Sequence, residues 1–193
     1  MNLYPFGQFV CRCVLKTFYK IEVKGKENIP EQEGVLLCAN HISNFDPPLL
    51  GAFIKRPVRY MAKKELFDLF LVGPLLRNLG AFPVKRGGGD KQSLRTALEI
   101  LKTGDIVGLF PEGTRSKTGE IGKGLAGAGF FAVKSSAFVV PCAIIGPYKF
   151  RNKVTLVYGE PIEMTKYREE RVSSQEITEM IMKEIQVLKE KHR

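Results

Sequence analysis

The side chains best suited to acid–base chemistry stand close together in the stretch CANHISNFDPP, residues 38 to 48. His41 is the one histidine of the chain apart from the penultimate residue, His192. Asp46 follows His41 five positions later. A nearby carboxylate fixes the tautomer of an imidazole and stabilises its protonated form, so that the second ring nitrogen can accept a proton from an alcohol. The spacing therefore favours His41 as a general base and Asp46 as the group that orients it.

Asp46 also has an interpretation that rests on local structure alone. It precedes Pro47 and Pro48, and proline is favoured in the first turn of a helix. An aspartate at the N-cap accepts hydrogen bonds from the free N–H groups of that turn. The sequence therefore predicts that Asp46 caps a helix, and the two interpretations are compatible because a cap would hold the carboxylate near His41.

Two further polar clusters follow predicted strands. Lys85 and Arg86 end one strand, and FPEGTRS, residues 110 to 116, follows another. Arginine offers a planar, permanently charged fork that suits a phosphate, although ordinary surface charges and a simple turn would use the same residues. Ligands of open α/β sheets collect outside the carboxyl ends of strands. Together with His41, these clusters predict a base beside a phosphate clamp, and hence activation of a hydroxyl group on a phosphorylated substrate.

Apolar runs that alternate with helical patterns must position these residues. Strands are predicted at residues 34–40, 58–62, 81–86, 105–110, 137–145 and 153–159. Helices are predicted at the N-terminus, at residues 47–55, 64–80, 90–104 and 127–136, and after a capping box at Ser173 and Glu176. The alternation predicts a single α/β domain with a largely parallel or mixed central sheet flanked by helices, in which the last strands add antiparallel pairs.

Nucleotide, nucleophile and metal motifs fail on inspection. GKGLAG, residues 122 to 127, follows a polar turn rather than a strand, so a dinucleotide site is not expected. GLFPEGTRS has Thr114 where a P-loop needs lysine. Ser43 lies too close to His41 along the chain for a covalent serine mechanism. With one usable histidine and four cysteines without ligand spacing, no metal site is predicted, and the cysteines favour a reduced, cytoplasmic protein.

The charge balance favours anionic partners. Lys and Arg number 30 against 20 Asp and Glu, which gives a net charge of +10. Such a chain suits nucleic acid, phospholipid headgroups or a phosphorylated substrate. No uncharged apolar run approaches the ~18 residues that a membrane-spanning helix needs.

The N-terminal segment is predicted to be an amphipathic helix. At helical pitch, Gln8, Arg12, Lys16 and Lys20 form one polar stripe, and apolar residues cover most of the remaining circumference. Such a helix either packs on its own domain or lies in a membrane interface. The helix alone leaves both possibilities open.

Four blocks of the sequence resemble those of the glycerolipid acyltransferases. NHISNFD has their Asn-His-x4-Asp pattern, and GAFPVKR resembles the second block, which ends in a phosphate-binding arginine. FPEGTRS matches the third block at every position, and VVPCAI, residues 139 to 144, resembles the fourth. The blocks follow the family's order and spacing across roughly residues 35 to 147. The short chain, its MAKKEL segment and its amphipathic N-terminus are similar to the bacterial members.

The resemblance implies transfer of an acyl chain from an acyl thioester to the sn-2 hydroxyl of lysophosphatidic acid, giving phosphatidic acid. His41 would remove the hydroxyl proton and Asp46 would orient it, by the logic of the serine-protease triad. Arg86 and Arg115 would hold the phosphate. Because the thioester already carries an activated acyl group, neither a cofactor nor a metal is implied. Acyl-CoA and acyl carrier protein are both open as the donor.

The same resemblance assigns supporting roles. Lys64 would add a phosphate contact, with Lys63 as an equal alternative. Glu112 would either bond the substrate's glycerol or brace the arginine loop. Gly113 and Thr114 would let the backbone approach the ligand.

A lipid acceptor implies a membrane surface as a partner. Residues 55–64 hold five basic residues in ten, and residues 148–153 hold three in six. Near anionic lipid each of them would contribute roughly 1 kcal/mol, although they could equally be solvated faces. We therefore expect residues 1–27 to be a membrane-associating helix with its connecting segment, and residues 28–193 to be the acyltransferase domain. The expected location is the cytoplasmic face of the cell membrane, by peripheral attachment.

Two other functions compete with this one. A sister acyltransferase would use glycerol-3-phosphate, another lysophospholipid or a lyso-ornithine lipid, and the arginines disfavour the last. A non-catalytic basic module that binds nucleic acid would explain the charge, but it would leave FPEGTRS and the pair of His41 and Asp46 without a role. The sequence contains no recognition motif or interleaved aromatic stripe for nucleic acid, so we expect no nucleic-acid partner.

Overall fold

A mixed sheet of seven strands forms the centre of the computed structural model, which describes residues 3–85 and 90–193. The strands are β1 Lys20–Lys24, β2 Val35–Ala39, β3 Val58–Lys63, β4 Phe82–Val84, β5 Ile106–Leu109, β6 Phe138–Ile145 and β7 Lys153–Tyr158. Their order across the sheet is β1-β7-β6-β2-β5-β3-β4. Strands β6 and β7 are antiparallel, and the other neighbours are parallel. The predicted α/β class is confirmed, as is the antiparallel pairing of the last strands.

Helices cover both faces of this sheet. They are α1 Tyr4–Phe18, α2 Asp46–Ala52, α3 Lys64–Phe67, α4 Val72–Asn78, α5 Lys91–Lys102, α6 Gly127–Lys134, α7 Thr165–Glu169 and α8 Ser174–Lys191. Strand β2 is buried on both sides: Val35 and Leu37 join the core under α1 and α2, whereas Leu36 and Cys38 join the core under α5, α6 and α8. A continuous apolar strand is what such a doubly covered position requires.

Strand β1 and helix α7 have no counterpart among the predicted elements. Strand β1 has the sequence KIEVK, in which charged and apolar residues alternate, and it forms one edge of the sheet by pairing with β7. This strand lies on the N-terminal side of the division expected between residues 27 and 28, and it joins the segment after α1 to the sheet.

Side-chain caps begin α5 and α8, and the cap of α8 is the one that the sequence predicts. The Asp90 side chain accepts a hydrogen bond from the Ser93 N–H at the start of α5. At the start of α8, the Ser173 side chain accepts from the Glu176 N–H, and the Glu176 carboxylate accepts from the Ser173 N–H. This reciprocal pair is the expected capping box.

Asn40 fixes the point at which the chain leaves β2. Its side-chain amide donates to the Ile144 carbonyl at 2.9 Å, and its Oδ1 accepts from the Ile144 N–H at 2.7 Å. The side chain is 1% exposed. These two bonds extend the pairing of β2 with β6 by one step beyond Ala39 and Cys142. They therefore hold the backbone immediately before His41.

Replacing this amide should destabilise the fold. We expect Asn40→Ala to lower the free energy of unfolding by about 2–4 kcal/mol, because two buried backbone groups lose their partners at roughly 1–3 kcal/mol each. Urea unfolding followed by circular dichroism measures the change. Asn78→Ala is the control, because its exposed amide bonds the Pro74 carbonyl within α4, and it should stay within about 0.5 kcal/mol of wild type. Equal losses in the two variants would contradict the assignment.

Candidate active site

The loops that follow β2 and β5 are joined at His41. The His41 N–H donates to Glu112 Oε1 at 2.8 Å, and the His41 carbonyl accepts from the Ser116 N–H at 2.8 Å. Strands β2 and β5 are parallel neighbours, so their carboxyl ends meet at one edge of the sheet. The expectation that polar residues after different strands gather at this edge is met for these two strands.

His41 and Asp46 form the pair that their spacing predicts. The Nδ1 atom of His41 lies 2.7 Å from Asp46 Oδ2. The Asp46 side chain is fully buried, whereas that of His41 is 17% exposed. A carboxylate beside Nδ1 places the proton of the neutral ring on Nδ1, and this leaves Nε2 as the nitrogen that can accept a proton.

The buried Asp46 carboxylate accepts three hydrogen bonds besides the one from His41. Its Oδ2 accepts from the N–H groups of Ile42 at 2.6 Å and Ser43 at 2.7 Å. Its Oδ1 accepts from the Tyr148 hydroxyl at 2.7 Å. A buried charge is costly unless its oxygens are bonded, and charge-assisted hydrogen bonds of this kind are the stronger class. The four donors therefore fix the carboxylate in one orientation.

The predicted capping role of Asp46 is wrong. Asp46 is the first residue of α2, but its carboxylate bonds the preceding loop rather than the helix N-terminus. Pro47 and Pro48 have no N–H to donate, and the N–H of Leu49 already donates to the Phe45 carbonyl at 2.9 Å. The first turn of α2 thus leaves the carboxylate free to turn back towards the loop.

Two aromatic residues of the site were not identified from the sequence. The Phe110 ring stacks on the His41 imidazole, with the ring centroids 4.1 Å apart and an interplanar angle of 21°. Tyr148 reaches Asp46 from the loop after β6. Phe110 begins the FPEGTRS block, so its neighbourhood was predicted although its contact was not. The position of Tyr148 depends on β6 lying beside β2, which the order of strands along the chain does not reveal.

The environment of Tyr148 keeps its hydroxyl protonated. Burial raises the pKa of Tyr148 above its usual value, and the negative charge of Asp46 raises this pKa further. Both effects disfavour a phenolate next to the carboxylate. Tyr148 therefore acts as a hydrogen-bond donor to Asp46.

Glu112 is bonded to backbone groups through both carboxylate oxygens. Besides the bond from His41, its Oε2 accepts from the Gly122 N–H at 2.9 Å, and the residue is 8% exposed. Next to it, Gly113 has φ +66, a left-handed conformation that favours glycine. Of the two roles left open for Glu112, these bonds favour bracing the loop over contacting a substrate.

Three of the predicted phosphate ligands, Arg115, Lys63 and Lys64, follow strands that are neighbours in the sheet. Arg115 and Thr114 are exposed in the loop after β5. Lys63 ends β3, Lys64 begins α3, and both are exposed. Strand β3 is next to β5, so the lysines lie about 10 Å, or two strand spacings, from β2. Arg86 lies outside the described residues.

Residues 3–85 and 90–193 contain neither a metal-binding cluster nor a membrane-spanning helix. No group of three or more His, Cys, Asp and Glu side chains is arranged there to hold a metal ion. Among the helices of the same residues, none combines the length and the apolar character needed to cross a membrane.

Known proteins resemble the chain in sequence and in structure. The sequence profile of the acyltransferase family matches residues 20–145. A 1-acyl-sn-glycerol-3-phosphate acyltransferase of Bacillus subtilis is 33% identical over 171 residues, which cover 86% of this chain and 85% of the relative. A protein of the same name from Streptococcus pneumoniae is 30% identical over 148 residues, covering 72% of this chain and 54% of the relative. The crystal structure of PlsC, the 1-acyl-sn-glycerophosphate acyltransferase of Thermotoga maritima, matches with a TM-score of 0.80 at 26% identity, and covers 98% of this chain and 79% of that one.

The burial of Tyr148 should appear in the alkaline stability of the protein. Above pH 10 the unfolded chain releases the Tyr148 proton, whereas the folded protein retains it because the pKa of Tyr148 is raised in the fold. The folded state then binds more protons, so the free energy of unfolding falls as the pH rises, by up to about 1.4 kcal/mol per pH unit for this group.

Tyr148→Phe removes this contribution. We expect the variant to lose stability less steeply above pH 10, while below about pH 9 its profile runs parallel to that of wild type because both states are protonated there. Urea unfolding at a series of pH values measures the two slopes. If wild type and Tyr148→Phe have parallel profiles throughout the alkaline range, Tyr148 ionises equally in the folded and unfolded states. This result would contradict a buried hydrogen bond from Tyr148 to Asp46.

Proposed function

The chain belongs to the acyltransferase family, as its four sequence blocks predicted, and we propose that it transfers an acyl chain from an acyl thioester to the sn-2 hydroxyl of lysophosphatidic acid, giving phosphatidic acid. The observation that carries this proposal is the contact of 2.7 Å between His41 Nδ1 and Asp46 Oδ2. It lies at the sheet edge where the loop after β2 meets the loop after β5. A neutral imidazole held in this way has one free nitrogen for a substrate hydroxyl.

The reaction needs one proton to be moved twice. His41 Nε2 removes the proton of the sn-2 hydroxyl as its oxygen attacks the thioester carbonyl. The new carbon–oxygen bond forms and the carbon–sulfur bond breaks, and the imidazolium returns the proton to the leaving thiolate. Asp46 accepts from Nδ1 throughout and stabilises the imidazolium, as the aspartate of a catalytic triad does. Tyr148 and the loop amides hold Asp46 in place for this task.

The phosphate of the acceptor is assigned to the cations around this base. Arg115 immediately precedes Ser116, whose N–H donates to the His41 carbonyl at 2.8 Å, so the Arg115 backbone is fixed close to that of His41. We propose that Arg115 and Arg86 bind the phosphate through their guanidinium groups. Lys64 adds a further contact, and Lys63 is the alternative at the same strand end.

The loop that carries Arg115 needs a brace, and we assign that role to Glu112. Its carboxylate joins the backbone at His41 to the backbone at Gly122. Gly113 and Thr114 then form the turn through which the backbone approaches the acceptor. Glu112 acts through these contacts and is a positioning residue.

Peripheral membrane attachment is part of this proposal, and the orientation of α1 supports it. Helix α1 packs on its own domain through Leu15, which is 1% exposed. Beside it, the Gln8 amide donates to the carbonyls of Gly51 and Ile54, both at 2.9 Å. Other large apolar side chains of α1 stay in solvent, where the exposed fractions are 66% for Phe6 and 61% for Phe9. An ordinary surface helix turns its apolar side inwards. We therefore propose that α1, within the segment of residues 1–27, lies in the interface of an anionic membrane at its cytoplasmic face.

We propose that the acyl donor is an acidic acyl thioester. The net charge of +10 suits both acyl-CoA and acyl carrier protein, because both donors are acidic.

Removing the base should abolish the reaction. We expect His41→Ala to form phosphatidic acid at least ~100-fold more slowly than wild type, since a positioned general base typically contributes a factor of this size or more. Palmitoyl-CoA and palmitoyl carrier protein are offered in parallel as donors, with lysophosphatidate in micelles as the acceptor. The preferred thioester then identifies the donor.

The control is His192→Ala, which changes the other histidine of the chain and should leave the rate unchanged. Full activity of a folded His41→Ala protein would contradict the mechanism. Product from glycerol-3-phosphate or another lysolipid, with none from lysophosphatidate, would contradict the acceptor assigned here.

Removing a phosphate ligand should act on acceptor recognition. We expect Arg115→Ala to lower kcat/KM for lysophosphatidate about 10- to 100-fold, because a hydrogen bond to a charged group is worth roughly 1.5–3 kcal/mol. For monoacylglycerol, which lacks the phosphate, the same variant should differ little from wild type. Arg95→Ala, an exposed arginine on α5, is the control and should behave as wild type with both acceptors. An equal loss with both acceptors would show that Arg115 does not read the phosphate.

A further inference from the structure

A second apolar surface lies at the turn between α3 and α4. Residues 69–76 read LFLVGPLL and contain no charged side chain. Phe70 is 90% exposed, Leu71 is 76% exposed, and Leu69 and Leu75 are each 51% exposed. Contiguous exposed apolar patches mark interaction sites, whereas single exposed apolar residues are common on any protein surface. The turn is called the α3–α4 turn below.

The α3–α4 turn is packed at its base. Phe67 is 5% exposed, and a Cβ atom on Gly73 would collide with the Phe67 carbonyl oxygen, so α4 rests directly on this residue. The Arg77 guanidinium lies 5.6 Å from the centroid of the Phe67 ring, and the Gly73 N–H donates to the Leu69 carbonyl at 2.9 Å. These contacts hold the apolar side chains outwards as a defined part of the fold.

The C-terminal end of α4, one short helix away from the turn, contacts α1. A Cβ atom on Gly7 would lie 2.6 Å from Leu79 Cδ2, so α1 meets the chain one residue beyond the end of α4. The basic residues of the turn are Lys63 and Lys64 before it and Arg77 on α4. The acidic residues of the same segment are Glu65 and Asp68. The turn and α1 are thus connected through α4, and the cations around the turn exceed the acidic residues by one.

We propose that the α3–α4 turn is a second membrane contact, which inserts Phe70 and Leu71 into the acyl layer of an anionic bilayer beside α1. Apolar side chains bordered by cations match a bilayer, in which an apolar layer lies beneath negative headgroups. This inference rests on the proposed function, because a lipid acceptor is what brings the protein to a membrane.

The position of the turn relates this contact to the active site. Helix α3 begins directly after β3, and β3 pairs with β5, the strand that leads to Glu112. Helix α3, which leads into the turn, therefore begins about 10 Å, or two strand spacings, from the strand that leads to His41. A lysolipid in the bilayer next to the turn would have its acyl chain anchored while its headgroup reaches the phosphate ligands.

The chain contains no tryptophan, so single tryptophan variants report on chosen positions. Phe70→Trp tests the turn and Phe9→Trp tests α1. Val187→Trp is the control, because Val187 is 48% exposed on α8, which packs on the opposite face of the sheet. The probe is vesicles of phosphatidylcholine and phosphatidylglycerol, with and without brominated acyl chains. We expect a blue shift and bromine quenching for Phe70→Trp and for Phe9→Trp, and neither effect for Val187→Trp.

A variant with both Phe70→Ser and Leu71→Ser should bind these vesicles at least about tenfold more weakly, since two apolar side chains no longer leave water. Its melting temperature should match that of wild type, because both side chains are exposed. An unshifted Phe70→Trp spectrum on vesicles that shift Phe9→Trp would overturn the inference. A blue shift that depends on protein concentration without vesicles would overturn it in favour of a second copy of the chain.

Acyl transfer to lysophosphatidate below its micellar concentration distinguishes a failure of the proposed function from a failure of the proposed membrane contact. If the proposed function is wrong, wild type makes no phosphatidic acid in this assay. If the inference alone is wrong, wild type is active there and the double serine variant binds vesicles as wild type does.

Discussion

Burial of the Asp46 carboxylate is the constraint on which the rest of the site depends. A buried charge that loses its partners costs several kcal/mol, so the fold must bring donors to both oxygens. Four donors meet this need. The His41 imidazole and the two backbone N–H groups that follow it bond Oδ2, and the Tyr148 hydroxyl, from the loop after β6, bonds Oδ1. The orientation of His41 is therefore a consequence of satisfying Asp46. The proposed catalytic base is held by the same bonds that make the buried charge tolerable.

A second buried carboxylate extends this arrangement to the substrate loop. Glu112 bonds backbone amides alone and joins the loop after β5 to the loop after β2. The two carboxylates thus have different roles, because they have different hydrogen-bond partners. Asp46 contacts the imidazole and can respond to its charge, whereas Glu112 sets the distance between the base and the arginine loop. A short domain can in this way keep an exposed cation such as Arg115 in register with a half-buried histidine.

The sequence was informative where a local pattern had one physical solution. Apolar runs followed by polar residues predicted the strand ends, and the spacing of His41 and Asp46 predicted their contact. Prediction failed where the answer depended on neighbours in space. Strand β1 is a short edge strand with alternating charges, and Tyr148 enters the site because β6 lies beside β2. The capping role of Asp46 failed because two prolines remove the N–H groups that a cap would bind. The polar stripe of α1 was predicted, but the side that packs on the domain, which carries Leu15 and the Gln8 amide, was left open.

We propose that Asp46 contributes to acyl transfer through His41, and a double-mutant cycle tests this coupling most directly. Acyl transfer to lysophosphatidate would be measured for His41→Ala, Asp46→Asn and the double variant, each checked for a native fold. We expect that adding Asp46→Asn to His41→Ala changes the rate by no more than about twofold, because the effects of residues that act as a unit are not additive. Losses that multiply in the double variant would contradict it, since Asp46 would then contribute to the reaction independently of His41.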